Sequence, residues 1–262
     1  MNRAERLSSV LDLLAEDGQI EVDQIVERLG VSPATARRDL DALARQQLLT
    51  RTRGGAVAHS VAYDLPIRYK HQQNPDAKAA IARAASELVP RGAVIGLCGG
   101  TTATAIADAL MSRADIMDPA PDPGLTVVTN AINIAMQLAM RPQIKTVVTG
   151  GVVHARSYEL VGSYTDGVLG NVSLDFAFIG ANGIDPVFGP TSHDEREAAV
   201  NALMASRAAH AVLVVDSSKL DKRAFASIGG PRLFQTVITD DEVAEEQRTR
   251  LIDAGYDVIV AS

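Results

Sequence analysis

The chain has 262 residues, 47% of them apolar and 4% aromatic, which is enough for two domains with sizeable cores. Its net charge of −7 excludes a general nucleic-acid coat protein, although a local basic strip can still neutralise phosphates. Its apolar runs fall short of the ~18 residues that a membrane span needs, and its N-terminus lacks a signal-peptide pattern, so we expect a cytoplasmic protein.

Two amphipathic helices are predicted at the start of the chain. The first has apolar residues at helical spacing and ends near Gly18, and the second is a shorter apolar stripe that ends at Gly30. The residues of the two stripes are Leu7, Val10, Leu11, Leu14, Ile25, Val26 and Leu29.

A third helix is predicted to begin after Ser32. Serine is a favoured N-cap, and the following Pro33 suits the first helical position because its missing N–H would be unpaired there. Three helices joined by tight turns form a helix-turn-helix, whose last helix reads the major groove of DNA. Ala36, Leu40 and Leu43 share the buried face of this helix, so Thr35, Arg37 and Arg38 are left to point elsewhere.

The charge along the chain agrees with a DNA-facing third helix followed by a basic wing. Residues 37–53 contain five arginines against two aspartates, a net of +3, whereas residues 1–36 contain three arginines against seven carboxylates, a net of −4. The wing reads Leu48-Leu49-Thr50-Arg51 and leads through Arg53 to Gly54-Gly55. The alternative is a helical module with solvated arginines that only mediates dimerisation; the serine cap, the adjacent Arg37 and Arg38, and the wing together disfavour it.

The remaining chain is predicted to be a linker and a second domain. Residues 1–57 form the first domain, residues 58–75 lack periodicity and are interpreted as a linker, and residues 76–262 form an α/β domain. Within it, helical stretches alternate with short apolar runs, which indicates a layered domain with a mostly parallel sheet. The predicted strands are 93–97, 125–128, 146–149, 176–179, 211–215, 237–239 and 258–260.

Small polar residues and glycines follow the first five of these strands. Ligands bind at the carboxyl ends of such strands, so the five loops would converge on one crevice if the sheet is continuous. Gly99-Gly100-Thr101-Thr102 offers backbone N–H groups, hydroxyls and a helix N-terminus to an anion, and Lys219 adds a positive charge. Each glycine pair alone is more often simple turn geometry. The five loops are Cys98–Thr102, Thr129-Asn130, Gly150-Gly151, Gly180–Gly183 and Asp216–Lys219.

Cys98 is interpreted as a small packing residue, because no histidine lies near it in the sequence to activate the thiol. As the single cysteine it cannot form an internal disulfide, and the five histidines show no metal-ligand spacing with it. We therefore predict no metal site and no cofactor.

The N-terminal stretch resembles the DNA-binding domain of the DeoR family of bacterial repressors. The family pattern V-S-x-x-T-[IV]-R-R-D-L, followed by a wing ending R-x-x-G-G-[AT], is matched by Val31–Leu40 and Arg51–Ala56, with Ala36 in place of Ile or Val. The resemblance implies a winged helix-turn-helix that binds double-stranded operator DNA as a dimer or tetramer. It assigns DNA contacts to Ser32, Thr35, Arg37, Arg38, Arg51 and Arg53.

Residues from about 76 to 240 resemble the DeoR-family sensor domain, which is similar to ribose-5-phosphate isomerase and CoA-transferase folds. The matching stretches include 100–102, 127–130, 150–151, 178–184, 216–219 and 238–240. The resemblance implies a repressor of a carbohydrate-metabolism operon that a phosphorylated sugar releases from its operator. It implies phosphate contacts from Thr101, Thr102 and Lys219 and polyol contacts from Asn130, Asn182 and Asp216. The full predicted effector set is Gly99, Gly100, Thr101, Thr102, Thr129, Asn130, Gly150, Gly151, Asn182, Glu197, Asp216 and Lys219.

Two residues of the chain depart from the family pattern of the sensor domain. Cys98 stands where the family usually has Asp, and Asn201 stands where Lys is common, so both remove charge from the predicted crevice edge.

The alternative function is that of a sugar-phosphate isomerase-like enzyme with an accessory helical domain. The isomerases use the carboxylates of a D-G-A-D-E segment for proton transfer, and here 179–183 reads Ile-Gly-Ala-Asn-Gly, which favours binding without turnover.

Overall fold

A computed structural model of the chain describes residues 1–46, 48–57 and 73–262. It divides the chain into two compact units, Met1–Gln73 and Asn74–Ser262. The predicted linker, 58–75, lies for the most part outside the described residues.

The N-terminal unit is a helix-turn-helix completed by a small antiparallel sheet, as predicted. Its sheet has the strand order β1-β3-β2, so the first strand, which the sequence analysis did not predict, pairs with the wing. The elements are α1 (Arg3–Asp17), β1 (Gln19–Glu21), α2 (Val22–Leu29), α3 (Pro33–Arg45), β2 (Thr50–Arg51) and β3 (Gly55–Val57).

Local signals set the ends of these helices. Gly18 and Gly30 adopt left-handed backbone angles, with φ of +70° and +64°, and end α1 and α2 at the predicted glycines. The Ser32 hydroxyl accepts a hydrogen bond from the backbone N–H of Thr35 at 3.2 Å, so α3 begins where the serine cap predicts. The apolar stripes of the three helices meet in one buried core with Ile20 and Ala56 of the sheet.

The C-terminal unit alternates strands and helices around a central sheet. Short 3₁₀ turns occupy Ser163–Thr165, Ser217–Lys219 and Pro231–Leu233. The helices are α4 (Pro75–Glu87), α5 (Thr101–Met111), α6 (Ala114–Met117), α7 (Ile132–Leu138), α8 (Asp166–Leu169), α9 (Glu195–Ser206) and α10 (Glu245–Asp253). The strands are β4 (Val94–Leu97), β5 (Leu125–Thr129), β6 (Ile144–Val148), β7 (Val152–His154), β8 (Glu159–Val161), β9 (Leu174–Ile179), β10 (Gly183–Asp185), β11 (Gly189–Ser192), β12 (Ala208–Val214), β13 (Ala226–Ser227), β14 (Thr236–Asp240) and β15 (Asp257–Ala261).

Seven strands form one parallel sheet in the order β15-β14-β12-β9-β4-β5-β6. All seven predicted apolar runs are strands of this sheet, which confirms the α/β class. Their buried side chains pack with those of α4, α5 and α9 into the core of the unit. Among the described residues, the helices are too short or too polar to cross a membrane.

The strand order reverses beside β4, and this reversal creates the crevice. From β4 the chain continues to β5 and β6 on one side, and later to β9, β12, β14 and β15 on the other side. Connections that leave β4 and β9 therefore diverge, which opens a gap at the carboxyl ends of these strands. The five strands followed by the predicted loops lie next to one another in the sheet, so these loops share one edge.

Two small sheets were not predicted from the sequence. One is the hairpin β7-β8, whose register places His154 opposite Glu159, and the other is the three-stranded sheet β10-β11-β13. Strands of two to four residues carry too few side chains to show a two-residue periodicity.

Candidate functional site

The predicted DNA-reading residues lie at the start of α3. Arg37 and Arg38 are exposed, whereas Ala36 and Leu40 on the opposite face are fully buried. The Ser32 hydroxyl caps the first turn and lies 2.9 Å from the Thr35 hydroxyl. The geometry thus presents two guanidinium groups to solvent from a helix whose other side is fixed in the core.

A buried ion pair fixes α3 against α1, and the sequence analysis did not find it. Arg6 Nε donates to Asp39 Oδ2 at 2.5 Å and Nη2 donates to Oδ1 at 3.2 Å. The side chains are only 17% and 4% exposed. The hydrogen bond to Asp39 raises the pKa of Arg6. The signal in the sequence was the place of Asp39, three residues after Ala36 on the otherwise apolar face of α3.

The two predicted wing arginines differ in their surroundings. Arg51 Nε donates to Asp41 Oδ1 at 2.9 Å, and its Nη1 donates to the carbonyl of Gly55. Arg51 therefore ties α3 to the strand β3, a role within the domain that the sequence analysis did not predict. Arg53 is exposed at the turn between β2 and β3.

At the crevice, the loops after β4 and β9 meet at Cys98. The Cys98 thiol donates to the carbonyl of Gly99 at 3.1 Å and accepts from the backbone N–H of Gly180 at 3.1 Å. Burial, with smaller contributions from the carboxylates of Glu159 and Glu197, raises the pKa of this thiol. A thiol that stays protonated is a poor nucleophile, which agrees with its interpretation as a packing residue.

The loop after β4 turns directly into α5. Gly100 has a φ of +103°, and a Cβ built on it would meet nothing within 4 Å, so the backbone is open at the helix N-terminus. Thr101 and Thr102 follow in the first turn and are half-buried. This end of α5 can offer backbone N–H groups and two hydroxyls to an anion.

Asn130 and Glu159 form a buried pair beside this loop. Asn130 is fully buried, and its Nδ2 donates to Glu159 Oε2 at 3.0 Å and to the carbonyl of Leu160 at 3.3 Å. The oxygen of the same amide, Asn130 Oδ1, has no hydrogen-bond partner in the described part of the chain. A Cβ on Gly99 would lie 2.3–2.5 Å from the Glu159 side chain, so the glycine makes room for this carboxylate.

Glu197 is the centre of a second hydrogen-bonded group. Its Oε1 accepts from His154 Nδ1 at 2.7 Å, and the Ser192 hydroxyl lies 3.3 Å from its Oε2 and 3.2 Å from Asn182 Oδ1. The hydrogen bond to Glu197 raises the pKa of His154. The structure therefore joins two predicted residues, Glu197 and Asn182, through the hydroxyl of Ser192 in β11, and His154 of β7 binds Glu197 from the hairpin.

The other predicted effector residues have structural roles of their own. Thr129 Oγ1 accepts from the backbone N–H of Ala131 at 3.0 Å. Gly150 and Gly151 have φ of +75° and +131° and turn the chain from the edge strand β6 into the hairpin. Asp216 Oδ1 accepts from Asn74 Nδ2 at 3.1 Å and from the backbone N–H of Ser218 at 3.2 Å.

The sheet order separates the loops after β6 and β12 from the Gly100 loop. Two strand spacings, or about 10 Å, separate β12 from β4, and β6 from β4. Lys219, which follows β12 and is half-buried, thus lies at one side of the crevice rather than at its centre.

Two residues of the crevice, Glu159 and His154, were missed in the sequence. Both come from the hairpin β7-β8, which folds back toward the sheet. The available signal was Glu159 itself, a charged residue that begins a buried run with Leu160 and Val161. Glu159 also places a carboxylate at the crevice edge beside Gly99. The sequence predicted a loss of charge at this edge, because Cys98 stands where the family usually has Asp.

Comparison with known proteins agrees with both halves of this description. A DeoR-like helix-turn-helix domain matches residues 6–61, and the DeoR C-terminal sensor domain matches residues 73–241. The glycerol-3-phosphate regulon repressor of Escherichia coli K12 is 30% identical over 92% of each chain. The HTH-type transcriptional regulator GlpR of Haloferax volcanii is 31% identical over 98% of this chain and 97% of its own.

A solved structure of ribose-5-phosphate isomerase A from Methanocaldococcus jannaschii is 23% identical, covers 56% of this chain and 55% of its own, and has a TM-score of 0.42. The relatives with high coverage are regulators, so the enzyme alternative is not supported. The chain belongs to the DeoR family of transcriptional regulators.

Proposed function

We propose that this protein represses a carbohydrate-metabolism operon and that a phosphorylated sugar releases it from its operator. The observation that carries the DNA-binding half is the exposed pair Arg37 and Arg38 on a helix fixed by its buried face and by the Arg6–Asp39 ion pair. The names of the relatives support the ligand half, since one of them represses a glycerol-3-phosphate regulon.

On DNA, Thr35, Arg37 and Arg38 read base edges in the major groove. Arginine can donate two parallel hydrogen bonds to guanine, which is the commonest specific contact. Arg53 contacts a backbone phosphate from the tip of the wing, and Ser32 positions Thr35 through the helix cap. Arg51 contributes to phosphate binding through the guanidinium donors that Asp41 and Gly55 leave available.

In the sensor unit, the phosphate of the effector binds at the N-terminus of α5. Gly99, Gly100, Thr101 and Thr102 supply the donors there, and Lys219 adds a positive charge from the side of the crevice. The rest of the ligand extends toward the group formed by Asn130, Asn182 and Glu197. The loops at Thr129, Gly150-Gly151 and Asp216 form the walls of this site.

Release of the operator requires that the two functions are linked. One recognition helix reads only a few base pairs, so specific binding requires several half-sites, and we propose a dimer or tetramer in the cytoplasm whose sensor units associate. An effector that prefers a sensor arrangement with differently spaced DNA-binding units lowers operator affinity by linkage.

Fluorescence anisotropy on DNA from the gene's own upstream region tests this function. We expect tight, salt-sensitive binding that one phosphorylated sugar abolishes and the unphosphorylated sugar does not. Arg38→Ala should abolish operator binding, whereas Arg141→Ala, at an exposed arginine of the sensor unit, should leave it unchanged. Equal affinity for random DNA would contradict the proposed operator.

A further inference from the structure

We infer that Glu159 is a specificity-determining residue of the sensor crevice: it makes the crevice select a polyol phosphate, whose only charged group is the phosphate, and reject the corresponding sugar-acid phosphate, which also carries a carboxylate. This inference rests on the proposed function, because it assumes that the crevice binds the effector. Glu159 lies outside the effector set predicted from the sequence.

Glu159 lies next to the proposed phosphate-binding site. Its side chain is 5% exposed, accepts a hydrogen bond from Asn130 and occupies the space left by the missing Cβ of Gly99. Gly99 directly precedes Gly100, the N-cap of α5, where the ligand phosphate is proposed to bind. A ligand whose phosphate binds there therefore has the Glu159 carboxylate as a neighbour on the Gly99 side.

Two buried amide oxygens of the predicted crevice can accept hydrogen bonds from a ligand. Asn130 Oδ1 is buried and unpaired within the described residues, and it belongs to the amide whose nitrogen contacts Glu159. One turn along α9 from Glu197, Asn201 is 5% exposed and its Oδ1 is also unpaired. Buried acceptors without a donor cost stability, so this part of the crevice suits a ligand that brings donors.

Two buried carboxylates contribute negative charge to the crevice. Glu159 and Glu197 are both at least nine-tenths buried, and His154 directs its Nδ1 toward Glu197 rather than toward the proposed phosphate site. Hydroxyl groups can donate to these carboxylates and to the two amide oxygens. A carboxylate in the same place can donate nothing and would meet like charge in a poorly solvated site, which lowers its affinity.

Two matched pairs of ligands test the inference in the full-length protein. Each pair has one carbon skeleton and differs in CH₂OH against carboxylate: glycerol 3-phosphate against 3-phosphoglycerate, and glucitol 6-phosphate against gluconate 6-phosphate. Isothermal titration calorimetry should show that the protein binds the alcohol of at least one pair about tenfold or more tighter than the acid. Glu159→Gln should reduce this ratio by at least about threefold, mainly through tighter binding of the acid.

Two further variants separate charge from folding. Glu159→Ala removes the acceptor as well as the charge, so it should weaken binding of the alcohol and also reduce the ratio. Glu246→Gln makes the same change at an exposed position of α10 and should leave the ratio unchanged. Circular dichroism of each variant verifies that the fold is retained.

The outcomes distinguish this inference from the proposed function. If the acid binds as tightly as the alcohol, or if Glu159→Gln keeps the ratio, the selectivity assigned to Glu159 is wrong while the effector site stands. If neither member of either pair binds, the selectivity assigned to Glu159 is wrong; if in addition no other phosphorylated sugar releases DNA, the proposed function is wrong as well.

Discussion

Removing the Arg6 side chain should loosen α3 without changing any of the residues proposed to contact DNA. Arg6→Ala leaves the Asp39 carboxylate, only 4% exposed, without its two hydrogen bonds from the guanidinium. Breaking one partner of a buried ion pair costs about 3–5 kcal/mol. Because Arg6 is 17% exposed, water can partly replace it, and we expect the lower end, about 3 kcal/mol.

Hydrogen exchange followed by mass spectrometry measures this loss locally. A cost of about 3 kcal/mol raises the population of open α3 by ~10²-fold, and amide exchange in Pro33–Arg45 should accelerate by that factor. Operator affinity should fall as well, because the helix that carries Arg37 and Arg38 is held less firmly.

Two other variants serve as controls. Arg248→Ala breaks an ion pair with Glu245 whose atoms are 3.3 Å apart and whose side chains are 41% and 79% exposed, so it should cost no more than about 1 kcal/mol and leave exchange in α3 unchanged. Replacing both buried partners, Arg6→Met with Asp39→Leu, should recover most of the stability because no charge is left unpaired. Exchange in α3 that stays within about threefold of wild type in Arg6→Ala would refute the assignment of this pair.

Three further outcomes follow from single contacts. The pKa of His154 is raised by its bond to Glu197, so this contact's contribution to stability is fully present below about pH 6.5 and is lost as the pH rises through the raised pKa. Urea unfolding at several pH values should show that decline, and His154→Gln should flatten it. Gly55→Ala places a Cβ 1.9 Å from the carbonyl oxygen of Ile20, which must separate β3 from β1, so operator binding should fall by tenfold or more while ligand binding persists. The Cys98 thiol is buried and its pKa is raised, so native protein should not react with a disulfide reagent until it is unfolded; rapid reaction in the native state would contradict the packing described here.

Local signals made much of the fold predictable. Ser32 and Pro33 mark the start of α3, Gly18 and Gly30 end the preceding helices, and all these features act within one or two turns of the chain. The seven strands were predictable because strands of a parallel sheet are buried on both faces and read as short apolar runs.

The candidate site was predictable only in part. Glycine and threonine at the start of α5 carry their own signal, because a helix N-terminus offers the same donors in any fold. The contacts of Glu159 with Asn130 and of His154 with Glu197 join residues 29 and 43 positions apart, and no local pattern encodes such distances.

The amino-acid sequence by itself thus determined the order of helices and strands, the exposed position of Arg37 and Arg38 on α3 and the family pattern, because these depend on short-range spacing and capping. The tertiary structure alone decided the strand order that places β4 beside β9, the burial of Asp39 against Arg6 and the position of the Glu159 side chain beside Gly99. Those features depend on which distant segments pack together, and that choice is made by the burial of the whole core rather than by any single stretch of the chain.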